Sequence, residues 1–300
     1  MTKGREYMQE QSANSGSQPG QAGTPSVVYR VANMEQASVQ KNLIYKKVDR
    51  SDFKLDVYYP ATYHNDGRLP AVLLIHGDGP PEALENMKDN GQYVGWGQLI
   101  AAAGLSAVTF NHRSSLDLLD IHGVSSDIKD LIAYVRTNGE SLHINADRLA
   151  IWVCSAGSPY ALKVALGDAP AYIRCTVCYY GIVDLRVFYE DQVKPSEERE
   201  SEPTLPLLSD DKFAEFSAIA HLRKRSGAIA PLLIARAGLD RHVLNRYIDH
   251  FVIEAITQNA PLTFLNHPTG HHGFDLLDNN VRSHEIIKAT LEFLQTYLLH

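Results

Sequence analysis

The sequence predicts an α/β fold with a single doubly wound, mostly parallel sheet flanked by helices. Short apolar runs recur along the chain and indicate strands that are buried on both faces of a sheet. Segments with apolar residues at helical spacing lie between these runs. Because strand and helix alternate in this way, we expect parallel strands joined by right-handed crossovers.

The predicted sheet begins with an antiparallel hairpin made by residues 43–48 and 54–60. Six apolar runs then predict strands in its buried part. These runs are residues 70–77, 105–110, 149–154, 173–181, 230–238 and 260–267. Each run has the short length of a strand, so we expect them to form the centre of the fold.

Three segments have the spacing of a helix with one apolar face. In the first, apolar residues follow the i, i+3, i+4, i+7 pattern over residues 128–135, with Ser126 as the predicted N-cap and Asn138-Gly139 as the predicted stop. The second lies over residues 244–255, and the third lies over residues 287–298. These helices are expected to cover the sheet.

One domain is predicted over residues 27–300, preceded by a disordered tail over residues 1–26 that is rich in Gly, Ser, Gln and Pro. The tail contains no apolar stretch of the kind found in secretory signals, so a cytoplasmic protein is expected. Residues 186–216 are charged, contain Pro and exceed the usual length of a connection. They predict a lid-like insertion over the sheet.

Charge and cysteine content exclude several classes of partner. The 28 basic and 35 acidic residues give a net charge of -7, which argues against binding to nucleic acid. No window approaches the ~20 apolar residues of a membrane span.

The three cysteines are expected to be buried thiols. Residues three apart on a strand point to opposite faces, so Cys175 and Cys178 cannot easily converge, and Cys154 is expected to be buried as well.

In open α/β sheets, ligands bind at the carboxyl ends of the strands. The residues at the predicted strand ends are His76 to Gly79, Asn111 to Arg113, Ser155, Tyr180 and Gly181, Asp240, and His271 to Gly273. A serine, an aspartate and a histidine therefore follow one another in chain order at one edge. A serine hydroxyl is a poor nucleophile until a base removes its proton. His112 and Arg113 are expected to brace neighbouring loops.

Five motifs follow in the order LLIHGDG (73–79), WGQLIAAAGLSAVTFNHR (96–113), CSAGS (154–158), ARAGLD (235–240) and GHHGFD (270–275). With these motifs the chain from about residue 43 onward resembles the α/β-hydrolase superfamily, of the dienelactone-hydrolase-like and short acyl-esterase type. The resemblance implies an α/β-hydrolase fold. It also implies Ser155 as nucleophile, Asp240 as acid and His272 as base.

An oxyanion hole is the second part of the predicted site. The N–H of Ala156 would be one donor, and an N–H from the loop of Gly77, Asp78 and Gly79 would be the other. Acyl transfer by such a site needs neither a cofactor nor a metal, and none is predicted.

Alternatives remain beside each catalytic assignment. Cys154 is a second candidate nucleophile, because dienelactone hydrolases use cysteine, although the serine register fits the motif better. His271 is the alternative base and Asp184 the alternative acid. The adjacent histidines lack further ligands at recognisable spacing, so a metal is not favoured. Val153 stands where the G-x-S-x-G pattern has its first glycine.

The predicted function is a serine hydrolase that cleaves carboxylic esters of small to medium size, with Trp96, Tyr180 and Phe188 lining the substrate pocket. A small-molecule ester is thus the expected partner, and a homo-oligomer is compatible with the sequence. Two other functions stay open. The segment HGDGP at 76–80 resembles the HGGP of prolyl oligopeptidase-like catalytic domains, which act on peptides, although no propeller accompanies it. A ligand-binding protein without turnover could also use this scaffold.

Overall fold

An eight-stranded sheet lies at the centre of the structure, a computed structural model that describes residues 25–48, 51–64, 67–187, 208–225 and 227–300. The strands are β1 (Ser38–Val48), β2 (Ser51–Tyr59), β3 (Leu69–Ile75), β4 (Ser106–Phe110), β5 (Ile144–Cys154), β6 (Ile173–Tyr179), β7 (Leu232–Ala237) and β8 (Leu262–His267). Their order in the sheet is β1-β2-β4-β3-β5-β6-β7-β8. The predicted tail at 1–26 and the insertion at 186–216 lie largely outside the described residues.

Pairing in the sheet follows the sequence prediction. The strands β1, β2 and β4 pair antiparallel, which confirms the opening hairpin. Every pair from β4 through β3 to β8 is parallel. The carboxyl ends of these strands therefore meet at one edge, where the chemically reactive side chains were expected.

Helices cover both faces of the sheet. They are α1 (Pro81–Leu84), α2 (Gly91–Ala102), α3 (Ile121–Thr137), α4 (Ser158–Leu162), α5 (Asp210–Glu215), α6 (Ala218–Lys224), α7 (His242–Thr257), α8 (Phe274–Leu277) and α9 (Val281–Leu299). One core cluster joins the sheet to α3, α4, α6 and α7. A second joins its other face to α2 and α9. The fold is therefore doubly wound, as predicted.

Helix α3 begins earlier than the sequence prediction. Ser126 was expected to cap it, but Asp120 is the N-cap, and its carboxylate accepts the Gly123 N–H at 3.0 Å. The apolar face extends back through Ile121 and Val124, both of which are buried, so burial favours the longer helix. Its end at Asn138 is as predicted.

The three cysteines are buried and form no disulfide. Among the helices of the described residues, none has the length and apolar character needed to cross a bilayer.

Candidate active site

A sharp turn after β5 places Ser155 above the carboxyl edge of the sheet. Its φ of 50° lies in the left-handed region, which is uncommon for a residue other than glycine. A 3-10 turn over Ser155–Gly157 then leads into α4. A Cβ atom on Gly157 would lie 2.2 Å from the backbone oxygen of His76, so only glycine lets this turn approach the end of β3 so closely.

Val153 fits this turn despite replacing the first glycine of the pattern. Its side chain is fully buried in the core, and the residue pairs with Ile75 on β3 and Cys178 on β6. The valine therefore serves as an ordinary central-strand residue, and Gly157 alone provides the close approach.

Three predicted residues from distant parts of the chain form one hydrogen-bonded series. The Oγ of Ser155 lies 2.8 Å from Nε2 of His272, and Nδ1 of His272 lies 2.6 Å from Oδ2 of Asp240. Since a carboxylate only accepts, Nδ1 carries the proton and donates a hydrogen bond to Asp240. Nε2 then accepts the hydrogen bond of the Ser155 hydroxyl.

The loops that carry the acid and the histidine are bound to each other. The Gly238 N–H donates to the His267 oxygen at 2.8 Å, and the Leu239 N–H donates to the Gly270 oxygen at 2.9 Å. A Cβ on Gly238 would lie 2.2 Å from the Pro268 oxygen, so glycine is required for this contact. Asp240 and His272 are thereby held at a fixed separation.

The alternative base and the alternative nucleophile have other surroundings. The His271 side chain is 60% exposed, against 16% for His272, and its Nδ1 lies 2.9 Å from Asp278. The Cys154 Sγ is buried 3.4 Å from the Tyr93 hydroxyl, and burial raises the pKa of this thiol to about 12. A thiol with so high a pKa is poorly nucleophilic at neutral pH.

Asp184, the alternative acid, makes structural contacts away from His272. Asp184 is nearly fully buried and accepts the Ser217 hydroxyl at 2.7 Å. It also pairs with Arg186 at 3.2 Å. These bonds tie the segment after β6 to α6, whereas Asp240 is the carboxylate that meets the Nδ1 of His272.

The loop after β3 narrows the predicted set of oxyanion donors. The Gly77 N–H donates to the Tyr93 hydroxyl at 3.2 Å, and the Gly79 N–H donates to Oδ1 of Asp78 at 2.8 Å. The N–H groups of Gly77 and Gly79 are therefore already hydrogen-bonded. This corrects the expectation that Gly77, Asp78 or Gly79 could each supply the second oxyanion donor. The Asp78 N–H has no acceptor among the described residues. The N–H of Ala156, in the first turn of its helix, has no acceptor within that helix.

The side chain of Asp78 fixes this loop in place. Besides the Gly79 N–H, its carboxylate accepts the Ser115 N–H at 3.0 Å and the Tyr160 hydroxyl at 3.1 Å. A Cβ on Gly77 would lie 3.7 Å from that of Ser155. The loop thus lies directly beside the nucleophile and is connected to α4 through Tyr160.

Two of the predicted pocket residues lie in the core. Trp96 is fully buried and its indole N–H donates to Asp275 at 2.9 Å. Tyr180 is 2% exposed and its hydroxyl donates to Asp275 at 2.6 Å. Neither side chain presents a surface to substrate, which corrects the pocket assignment. Phe188, the third, lies outside the described residues.

Sequence reasoning assigned no role to Asp275 or Tyr93, although both contact the site. Asp275 was visible as the last residue of GHHGFD, three positions after His272, and its acidity in an apolar context was the available signal. Tyr93 gave no such signal, because its hydroxyl reaches Gly77 only through the packing of α2 on the sheet.

Comparisons with known proteins bear on the family and the fold of this chain. The model of the prolyl oligopeptidase family matches residues 122–300, more than half of the chain. A native esterase 2 structure from Thermogutta terrifontis has a TM-score of 0.65 and 20% identity, covering 88% of this chain and 93% of that chain.

Two further structures of that esterase are similar. Its propionate-bound form has a TM-score of 0.64 and 19% identity, covering 89% of this chain and 94% of that one. Its form phosphoramylated by tabun has a TM-score of 0.63 and 17% identity, covering 89% and 95%. At such identities the likeness confirms the α/β-hydrolase fold. A comparison with curated proteins gives no match.

Proposed function

Because the chain belongs to the prolyl oligopeptidase family, we propose that it uses its Ser155–His272–Asp240 series to hydrolyse carboxylic esters of small to medium size. Family membership confirms the prediction of a serine hydrolase. The single observation that carries the assignment of residues is the contact of 2.8 Å between Ser155 Oγ and His272 Nε2, with Asp240 at the other ring nitrogen.

The reaction begins when Ser155 Oγ attacks the ester carbonyl while His272 Nε2 takes its proton. Asp240 holds the ring in the required tautomer and stabilises the imidazolium that forms. His272 then gives the proton to the leaving alcohol, and an acyl group remains on Ser155. A water molecule activated by the same imidazole releases the acid and restores the hydroxyl.

The negative charge that develops on the carbonyl oxygen needs donors already in place. The backbone N–H groups of Ala156 and Asp78 supply them in this proposal, since the N–H groups of Gly77 and Gly79 are bonded elsewhere. Loss of one oxyanion donor typically costs about 3 kcal/mol of transition-state stabilisation. The carboxylate of Asp78 supports this role by fixing its own loop.

Esters with short acyl groups are the substrates we propose. The similar structures reported above are of one esterase, Thermogutta terrifontis esterase 2, which has propionate-bound and butyrate-bound forms. Others are phosphorylated by paraoxon or phosphonylated by sarin, reagents that are themselves esters of phosphorus acids. The short acyl-esterase type of the sequence resemblance agrees with this choice.

Peptide hydrolysis is the second candidate, and the family match favours it specifically. The same nucleophile, base and oxyanion donors serve amides as well as esters, so the triad does not distinguish them. Release of p-nitroaniline from Gly-Pro-p-nitroanilide, compared with hydrolysis of p-nitrophenyl acetate and butyrate, separates the two activities.

A fluorophosphonate probe followed by peptide mapping tests the proposal. We expect one adduct, on Ser155, and loss of both labelling and ester turnover in Ser155→Ala. The matched control is Ser158→Ala, because Ser158 is a buried serine three residues further along, whose Oγ accepts a bond from Cys178. Absence of labelling and turnover in the folded parent would favour a ligand-binding protein instead.

A cytoplasmic location is proposed as well. Three buried cysteines without a disulfide support it, because such thiols persist in reducing compartments. Fractionation of expressing cells with compartment markers tests it.

A further inference from the structure

Asp275 is a fully buried carboxylate beneath the histidine loop. It accepts hydrogen bonds from Gln92 Nε2 at 3.0 Å, from Trp96 Nε1 at 2.9 Å and from the Tyr180 hydroxyl at 2.6 Å. Burial raises the pKa of Asp275, while the three donors oppose that shift. Within the described part of the chain, no cation pairs with it. A buried carboxylate costs free energy relative to an apolar side chain, so its presence needs a reason.

The bonds of Asp275 join three elements at the base of the site. Gln92 and Trp96 lie on α2, and Tyr180 directly follows β6. Asp275 itself lies on α8, which begins immediately after the catalytic loop turns at Gly273 with a φ of 80°. The Asp275 carboxylate therefore connects the loop that carries His272 to α2 and to the end of β6.

Tyr180 links this cluster to the catalytic imidazole. Its ring centroid lies 4.6 Å from that of His272, with the two planes inclined by 54°. Its backbone has a φ of 36°, which is unfavourable for a tyrosine and has to be stabilised by surrounding contacts. Gln92 donates to the Tyr180 hydroxyl at 2.9 Å, while that hydroxyl donates to Asp275. The phenol is thus fixed at its far end and supports His272 with its ring.

This support matters because His272 must face two partners at once. Its Nδ1 has to meet Asp240 and its Nε2 has to meet Ser155, so rotation of the ring would weaken one contact or both. Ser155 and Asp240 each contact one nitrogen at the edge of the His272 ring. The Tyr180 ring is a further contact, because it packs against the imidazole.

We propose that Asp275 is a positioning residue for the catalytic base: by binding the Tyr180 hydroxyl, it holds the Tyr180 ring against His272 and keeps both imidazole nitrogens aligned. The inference rests on the proposed function. It assigns a role in catalysis to a buried hydrogen bond that lies outside the triad.

Tyr180→Phe is the main test, because it removes one hydroxyl and keeps the ring. The matched control is Tyr179→Phe, since the neighbouring tyrosine is also fully buried and its hydroxyl binds Thr290 at 2.6 Å. We expect kcat for p-nitrophenyl butyrate to fall about tenfold in Tyr180→Phe with KM little changed, because small misplacements of a catalytic group are costly. The proton resonance of the His272–Asp240 bond should broaden or shift only in this variant.

Asp275→Asn supplies an independent measurement. Its amide oxygen can replace Oδ2, which accepts from Gln92 and Trp96, while its amide nitrogen replaces Oδ1 and cannot accept from the Tyr180 hydroxyl. The double variant Tyr180→Phe/Asp275→Asn should be no slower than the slower single variant, because both act through one bond. Equal kcat losses in Tyr180→Phe and Tyr179→Phe, or an unchanged kcat and resonance in Tyr180→Phe, would overturn the inference. Failure of the parent protein to hydrolyse esters would instead count against the proposed function.

Discussion

The imidazole rings of His76 and His112 are stacked with their centroids 3.5 Å apart and their planes inclined by 10°. The His112 N–H donates to Nε2 of His76 at 3.1 Å, so that nitrogen carries no proton in the folded protein. His76 directly follows β3 and leads into the oxyanion loop, and His112 lies two residues after the end of β4. The Nε2 of His112 also lies 3.1 Å from the backbone oxygen of His76, so His112 connects the two strand ends through its backbone and its ring.

Because His76 is buried in this stacked pair, we expect the free energy of unfolding to decrease as the pH falls below about 6.5. Burial, with His112 as the second cause, holds the pKa of His76 well below its ordinary value of 6.5. The unfolded chain takes up a proton near that value while folded His76 stays neutral, so stability is present above it and is lost with acidification. One such group contributes at most about 1.4 kcal/mol per pH unit.

Urea unfolding of the parent and of His76→Gln between pH 8 and pH 5 measures this contribution. The variant should show a smaller slope of the unfolding free energy against pH, whereas His64→Gln, which alters an exposed histidine, should keep the parent slope. Burial also raises the pKa of Asp275, and this shift changes the pH dependence of stability in the opposite direction. The decisive quantity is therefore the difference in slope between the parent and His76→Gln. Equal slopes in His76→Gln and the parent would refute the prediction.

Asp240→Asn should lower kcat by about 10⁴ while leaving the protein folded, because an amide at this position favours the wrong imidazole tautomer. Asp184→Asn is the matched control. It weakens the bonds to Ser217 and Arg186 and should lower the melting temperature without a comparable effect on kcat. Steady-state ester hydrolysis and thermal unfolding of both variants check this, and a greater kcat loss in Asp184→Asn would transfer the acid to that residue.

His272→Ala should lower kcat on the order of 10⁵ to 10⁶, since it removes the base that activates Ser155. His271→Ala should keep most of the activity, because its side chain is exposed and binds Asp278 at 2.9 Å. The rate of fluorophosphonate labelling provides a second measurement that depends on the same base. The reverse ranking of the two variants would move the base by one residue.

Gly157→Ala should destabilise the protein by about 1–3 kcal/mol and reduce turnover, because its new methyl group would meet the His76 backbone oxygen. Gly227→Ala is the control, since a Cβ there has no neighbour within 4 Å. Urea unfolding and ester hydrolysis measure the two effects. Parent-like stability in Gly157→Ala would mean that the turn can move away from β3 at little cost.

The strands could be predicted because continuous apolar runs are a strong local pattern, and the approach of Ser155, Asp240 and His272 to one another could be predicted from the order of the motifs along the chain. Continuous apolar runs identified the central strands, although β5 starts five residues before its apolar run at 149, in a polar segment that periodicity does not mark. Chain order then brought Ser155, Asp240 and His272 to one edge, since parallel strands share their carboxyl ends.

Side-chain direction and long-range hydrogen bonds were the parts that local patterns could not predict. Tyr180 follows a strand but has a φ of 36°, and this turn directs its ring beneath the histidine loop instead of into a pocket. Gly77 was indistinguishable from Asp78 as an oxyanion donor until the hydroxyl of Tyr93 was seen to accept its N–H. Both facts depend on segments far apart in sequence.

The pairing of β3 with β5 is the seam of the sheet, because β1 to β4 lie on one side of it and β5 to β8 lie on the other. A fragment consisting of residues 122–300, the part that matches the family model, would retain all three triad side chains. It would nevertheless expose the backbone of β5 along a long unpaired edge and would lack the loop of Asp78. We therefore expect this fragment to aggregate and to show no hydrolysis. Residues 1–121 and 122–300 expressed as separate pieces would have to be present together to complete the sheet.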